Sequence, residues 1–433
     1  GIYCLTSRGI HMKPEIKERI EKINRGQVPE GYKETKLGII PSKWKIRTIG
    51  QLVEDGIIQK PMDGNHGALH PTSKDYVEKG IPFILATDLE GNKLSLSKCK
   101  HIKKEVADKL QKGFSVQGDV LLTHKGSVGN TAVVPKLETE YIMLTPQVTY
   151  YRVNDRDKLS NYYLYYHFQG ETFQRQLKVM SKGATRDYIG IVAQNNLEII
   201  LPTDIKEQQK IIDILSTWDK AIELKEKLIE QKKEQKKGLM QRLLTGKVRL
   251  PGFEGEWKEV SLEKVVKKTK GQALVYVEGG KYPAIDMEYI ETGAVRNFSN
   301  DATVIAKKTD VLLLWDGSRA GQAITGVEGS VGSTFVKLEC KQINNVFLQK
   351  HLEMNEAKIR RLCEGSGIPH VPKDFLHYYK INLPNIEEQK AIAQILDCIE
   401  REIEMNEKEL NQLKQQKKGL MQLLLTGKVR VKC

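Results

Sequence analysis

The side chains in this sequence that could carry chemistry are scattered, and their spacing argues against most reactions. There is no Asn/Asp-Pro-Pro-Tyr/Phe motif of the kind that methylates adenine, because the chain has no Pro-Pro pair. Leu243-Leu244-Thr245-Gly246-Lys247-Val248 contains a Gly-Lys step but has neither the glycine spacing nor the Ser/Thr that a phosphate-cradling loop needs. No HExxH pair and no EF-hand loop occurs. The six cysteines, Cys4, Cys99, Cys340, Cys363, Cys398 and Cys433, include no CxxC pair and read as reduced thiols of a cytosolic protein. His66 and His70 are only two ligands, so no metal is expected. What remains is donor and cation chemistry on polar loops, in a chain of net charge +14, which suits a polyanionic partner. The charge is uneven. Residues 1–200 hold 30 basic and 22 acidic side chains, and residues 251–382 hold 18 and 17. If both regions bind nucleic acid, the first should lean harder on phosphates.

Loops need elements to hold them, and an internal repeat shows what those elements are. Residues 236–249 read KKGLMQRLLTGKVR and residues 417–430 read KKGLMQLLLTGKVR, 13 of 14 positions matching at an offset of 181. The match extends upstream to Asp204-Ile205-Lys206-Glu207-Gln208 and Asn385-Ile386-Glu387-Glu388-Gln389, each after a Leu-Pro. Each block predicts one long helix. Asp204 and Asn385 are N-caps with Glu207 and Glu388 as capping-box partners. Thr245-Gly246 and Thr426-Gly427 supply the C-terminal stop. Forty residues at 1.5 Å each give roughly 60 Å. Steps of four and three trace an apolar seam through Ile211, Leu215, Trp218, Ile222, Ile229, Leu239 and Leu243 in the first helix. The same walk gives Ile392, Leu396, Ile399, Ile403, Leu410, Leu413, Leu420 and Leu424 in the second. So polar a pair should pack together as a coiled coil, and Asn406 in the seam is a candidate for fixing register.

The segments before the helices also align, with offsets drifting from 213 to 181. Trp44 faces Trp257, Ile81-Pro82-Phe83 faces Tyr282-Pro283-Ala284, and Asp119-Val120-Leu121-Leu122 faces Asp310-Val311-Leu312-Leu313. The last pair runs into Gly-rich turns, His124–Gly129 and Trp315–Gly321. Each half is therefore a head followed by a long helix. Short apolar runs mixed with helical stretches at 160–180 and 345–363 make each head α/β (α+β).

These motifs resemble the specificity subunits of type I restriction–modification enzymes. The resemblance rests on the two Leu-Pro…Glu-Gln…Ile-Leu openings, the two Gly-Leu-Met-Gln…Leu-Leu-Thr-Gly endings, Gly80-Ile81-Pro82 and Gly118-Asp119-Val120-Leu121, and it runs from about residue 30 onward. It implies two target-recognition domains in tandem, joined by two long antiparallel coiled-coil helices as a pseudo-two-fold repeat. It implies that each head reads one half of a split double-stranded DNA target and that the helices act as a ruler. It implies docking of two methyltransferase subunits and of restriction/translocase subunits, which carry the S-adenosylmethionine and ATP chemistry. The chain itself is expected to be non-catalytic, cofactor-free, cytoplasmic and unattached to membrane.

On that reading, base edges call for forked donors and acceptors, and phosphates for Lys, Arg, Ser or Thr. The DNA-binding candidates of the first head are Lys60, Asn65, His66, His70, His124, Lys125, Lys182, Thr185 and Arg186. Those of the second are Lys268, Lys270, Trp315, Arg319, Ser366 and His370. The expected domains are an N-terminal extension (1–29), recognition domain 1 (30–202), spacer helix 1 (203–250), recognition domain 2 (251–384) and spacer helix 2 (385–433). The opening Gly1–Met12 has no Met at position 1, is compatible with an appended segment, and stays outside the fold reasoning. Two alternatives stay open: a protein-binding coiled-coil scaffold that reads no DNA sequence, and a DNA-binding regulator without enzymatic partners.

Overall fold

A computed structural model describes residues 3–6, 9–67, 70–181, 187–363 and 367–431. Its contacts divide the chain into two compact units, residues 1–223 with 412–433, and residues 224–411. The division runs through both long helices, Ile205–Leu243 and Ile386–Leu425. Each unit thus contains one head, half of one helix and the opposite half of the other. Among the described residues no helix is long and apolar enough to cross a membrane.

In the first unit, one antiparallel sheet has the strand order Thr131–Val133, Val120–Thr123, Val148–Tyr151, Met62–Asp63. A second has the order Phe114–Ser115, Ile142–Leu144, Ile81–Ile84, Lys100–Ile102, Tyr76–Val77. Its central pairing, Met143 against Phe83, is parallel. In the second unit, the first sheet runs Ala323–Thr325, Asp310–Leu314, Phe335–Cys340, Val266–Lys270. The other runs Ile305–Ala306, Gly329–Val331, Tyr282–Ile285, Phe298–Ser299, again with a parallel centre, Ala284 against Ser330. The two heads are therefore one topology used twice, and the first adds the edge strand Tyr76–Val77. Each head closes with a strand pair, Lys45–Thr48 on Glu198–Leu201 and Lys258–Ser261 on Lys380–Leu383. Each also carries a helix broken once, Asn161–Gln169 then Glu171–Met180, and Asn345–Met354 then Glu356–Leu362.

The ends of the long helices belong to the cores of the heads. Ile211, Leu215, Leu420 and Leu424 are buried with Trp44, Tyr163 and Phe168 in the first unit. Met240, Leu243, Ile392 and Leu396 are buried with Leu262, Phe347 and Phe375 in the second. Burying such a side chain contributes about 1.5–3 kcal/mol. Toward the helix centres Ile229 and Ile403 stay buried, while Ile222, Leu410 and Leu413 are half-buried. Ion pairs add to the seam there. In the second unit Lys225 bonds Glu409, Lys232 bonds Glu402 and Lys236 bonds Glu400, a descending order that makes the two segments antiparallel. Lys225 also donates to Asn406 Oδ1 at 3.0 Å, and these are residues that the 181-residue repeat aligns with each other.

The repeated Glu-Gln step fastens each helix to its head. Gln208 accepts from the Ser160 N–H and donates to Pro202 O, and Gln389 does the same with Asn344 and Pro384. Glu207 and Glu388 do not close capping boxes as expected. Asp204 and Asn385 cap their helices, through the Lys206 and Glu388 N–H groups, but both glutamates are committed elsewhere. Glu207 is held by Arg430 and by Trp44 Nε1 at 3.0 Å, and Glu388 by two 2.7 Å bonds from Arg249. The arginine at the end of each TGKVR run thus anchors the start of the other helix within one unit. Deeper in, Asp219 accepts from Tyr166 and Lys417 in the first unit, and Glu400 accepts from Lys350 and Lys236 in the second. Gly427 must be glycine. Its φ is +70°, and a Cβ there would lie 2.5 Å from Pro41.

Candidate nucleic-acid interface

In both heads three equivalent backbone bonds hold the Gly-rich turn after a central strand, one to the residue before the neighbouring strand and two to a second loop. In the first head His124 N donates to Gln147 O, Gly126 N to Asp187 O and Ile189 N to His124 O. In the second, Trp315 N donates to Thr334 O, Gly317 N to Pro369 O and Val371 N to Trp315 O. The first-sheet edge strand ends beside the turn in each head. There Gly64 and Gly271 press so closely on the backbone that a Cβ would lie 1.8 Å from Leu144 O or 2.1 Å from Gly332 O. The scaffold of the site is thus shared, and its side chains are not.

In the first head Asp63, 3% exposed, accepts from Lys112 Nζ and from His66 Nε2 at 2.7 Å. His124 lies behind them, 1% exposed, bonded to Thr149 Oγ1, and burial pushes its pKa down to about 4. Lys125 is exposed, with its ammonium 5.8 Å from the Tyr188 ring centroid. In the second head Lys270 stands where Asp63 stands in the first and pairs with Asp316, the residue that replaces Lys125. The polarity of the two positions is inverted. Lys268 lies 3.8 Å above the Trp315 ring, and its ammonium pKa is lowered by burial and then by Lys270. Arg319 is exposed on the turn. The loop after Gly64 is polar, whereas the loop after Gly271 exposes Val275 and Tyr276.

These placements correct three of the expected contacts. Asn65 is buried, donating to Lys112 O and accepting from Gln111 N, so it pins its own loop. His124 and Trp315 are buried beneath the turns that carry them, where a base edge cannot reach. His70 is half-buried with its ring on Phe83, and His370 is half-buried in the strapping loop. Lys60, His66, Lys125, Lys268, Lys270 and Arg319 are exposed. Lys182, Thr185, Arg186 and Ser366 lie outside the described residues. Lys112, Tyr188 and Asp316 were missed. Asp316 was within reach of sequence reasoning, since it lies in a turn already singled out.

Comparison with known proteins agrees with this architecture. The family model described as type I restriction modification DNA specificity domain matches residues 41–233 and 254–415. A Methanocaldococcus jannaschii protein named as a candidate specificity subunit of the type I restriction enzyme MjaX is 27% identical over 429 residues, covering 93% of this chain and 97% of that one. The MjaVIII specificity subunit of the same organism is 36% identical over 179 residues, 40% of this chain and 42% of that one. In fold, the crystal structure of a type I restriction-modification S subunit from M. genitalium superposes with a TM-score of 0.57 at 16% identity, covering 88% of this chain and 96% of that one. The chain therefore belongs to the type I restriction–modification specificity family, as a non-catalytic subunit that serves DNA target specificity.

Proposed function

We propose that the two heads read the two halves of a split DNA target and that the long helices set the distance between the halves. The observation that carries this is the shared scaffold with exchanged side chains: the same strapped turn beside the same edge strand in each head, with Asp63 and Lys125 in the first and Lys270 and Asp316 in the second. A duplicated frame with divergent contact residues suits two different short sequences. The contacts we assign to DNA are Lys60, His66 and Lys125 in the first head, and Lys268, Lys270 and Arg319 in the second. Each is exposed beside a turn or edge strand. Two methyltransferase subunits would dock on the outer faces of the helices, where Leu224, Leu228 and Met405 are exposed apolar side chains, and restriction subunits would join them.

The test is a map of methylated adenine in cells that make this chain with its methyltransferase partner, against cells lacking the chain. One motif of two defined halves around a fixed gap is expected. Methylation that is unchanged, or that has no split motif, would leave the helices as a protein-binding scaffold.

A further inference from the structure

We propose that Arg319 is the side chain with which the second head reads guanine; this rests on the two heads being DNA readers. The backbone beneath Arg319 is fixed on all sides. Leu314 N bonds Gln322 O and Gly321 N returns to Leu314 O, each at 2.8 Å. Ala320 N closes the turn on Gly317 O at 2.9 Å. The turn is held from outside by Gly317 N on Pro369 O and Val371 N on Trp315 O, and buried Trp315 forms its floor. The other cations at this place are engaged, Lys270 by Asp316 and Lys268 by the Trp315 ring. Arg319 is exposed, and among the described residues no carboxylate pairs with it.

A rigid turn that presents one planar guanidinium matches the two acceptors on the guanine edge, O6 and N7. Asp316 on the same turn is neutralised by Lys270, so it leaves the guanidinium free without excluding a phosphate, and a base-by-base comparison separates the two partners. The first head differs. Its turn, His124–Gly129, carries no acid, and its exposed cation is Lys125, a point charge suited to phosphate.

The experiment measures methylation rates of the assembled methyltransferase–specificity complex on duplexes carrying each base pair at each position of the second half-site. The wild-type complex is expected to prefer G·C at one position by roughly tenfold or more. Arg319→Ala should cut that preference to under about threefold there, leave the first half-site unchanged, and not be rescued by Arg319→Lys. Lys125→Ala, the control, should slow every duplex and lower the salt dependence with the motif intact. A preference that survives Arg319→Ala, a uniform slowing by that variant, or a second half-site without guanine overturns the assignment while leaving two readers standing. A wild-type complex with no sequence preference overturns both.

Discussion

If the helices set the gap between half-sites, lengthening both should change it by a computable amount. The perturbation is one four-residue helical block after Lys227 and one immediately before Lys408. These positions lie opposite each other, as the Lys225–Glu409 and Lys232–Glu402 pairs indicate. Four residues add about 6 Å to each helix and turn it about 40° past a full revolution, so the apolar stripe keeps nearly the same face. At about 3.4 Å per base pair, the gap is predicted to grow by about two base pairs, with both half-sites unchanged. Single-molecule sequencing of methylated adenine in cells carrying the extended chain reads this directly. A complex that still assembles and methylates the original gap would refute the ruler, whatever the heads read.

Two other predictions use the repeat as its own control. Trp44 Nε1 bonds the buried Glu207 carboxylate, whereas Trp257 Nε1 is buried with no partner among the described residues. Trp44→Phe should therefore cost about 1.5–3 kcal/mol more than Trp257→Phe in denaturant unfolding, and equal losses would contradict the bonding described. Burial holds the pKa of His167 down to about 3 and that of His351 to about 4, and the two stand at equivalent places in the head helices. His167 Nε2 accepts the Ile200 N–H, a bond that only the unprotonated nitrogen makes. The unfolded chain binds these protons near pH 6.5 and the folded chain does not, so stability is complete above about 6.5 and falls as pH drops toward 4. A melting curve that falls between pH 6.5 and 5 in the wild type, and less steeply in His167→Gln, is expected.

The helices and their duplication were legible because a 3.6-residue period and a near-identical run survive in one dimension. The order of strands within each head was legible only as aligned fragments. The parallel pairing of Ile81–Ile84 with Ile142–Leu144 brings together residues some sixty apart, and no local pattern announces it. The site was half legible. Lys125 and Arg319 stand on turns that their glycines advertise. Asn65, His124 and Trp315 have the right chemistry, but their burial is decided by loops strapped over them from distant positions. The glutamates after the helix caps were misjudged for a similar reason: a capping box is local, and Arg249 and Arg430, each more than a hundred residues away, compete better for the carboxylate.

The central claim is that the chain carries two equivalent, independent readers. Its most direct test replaces residues 44–201 with a second copy of 257–383, joining at strand pairs that are matched in the two heads. The account predicts that the methylated motif in cells then contains the second half-site twice and the first not at all. Retention of the first half-site by a folded, active chimera would contradict it.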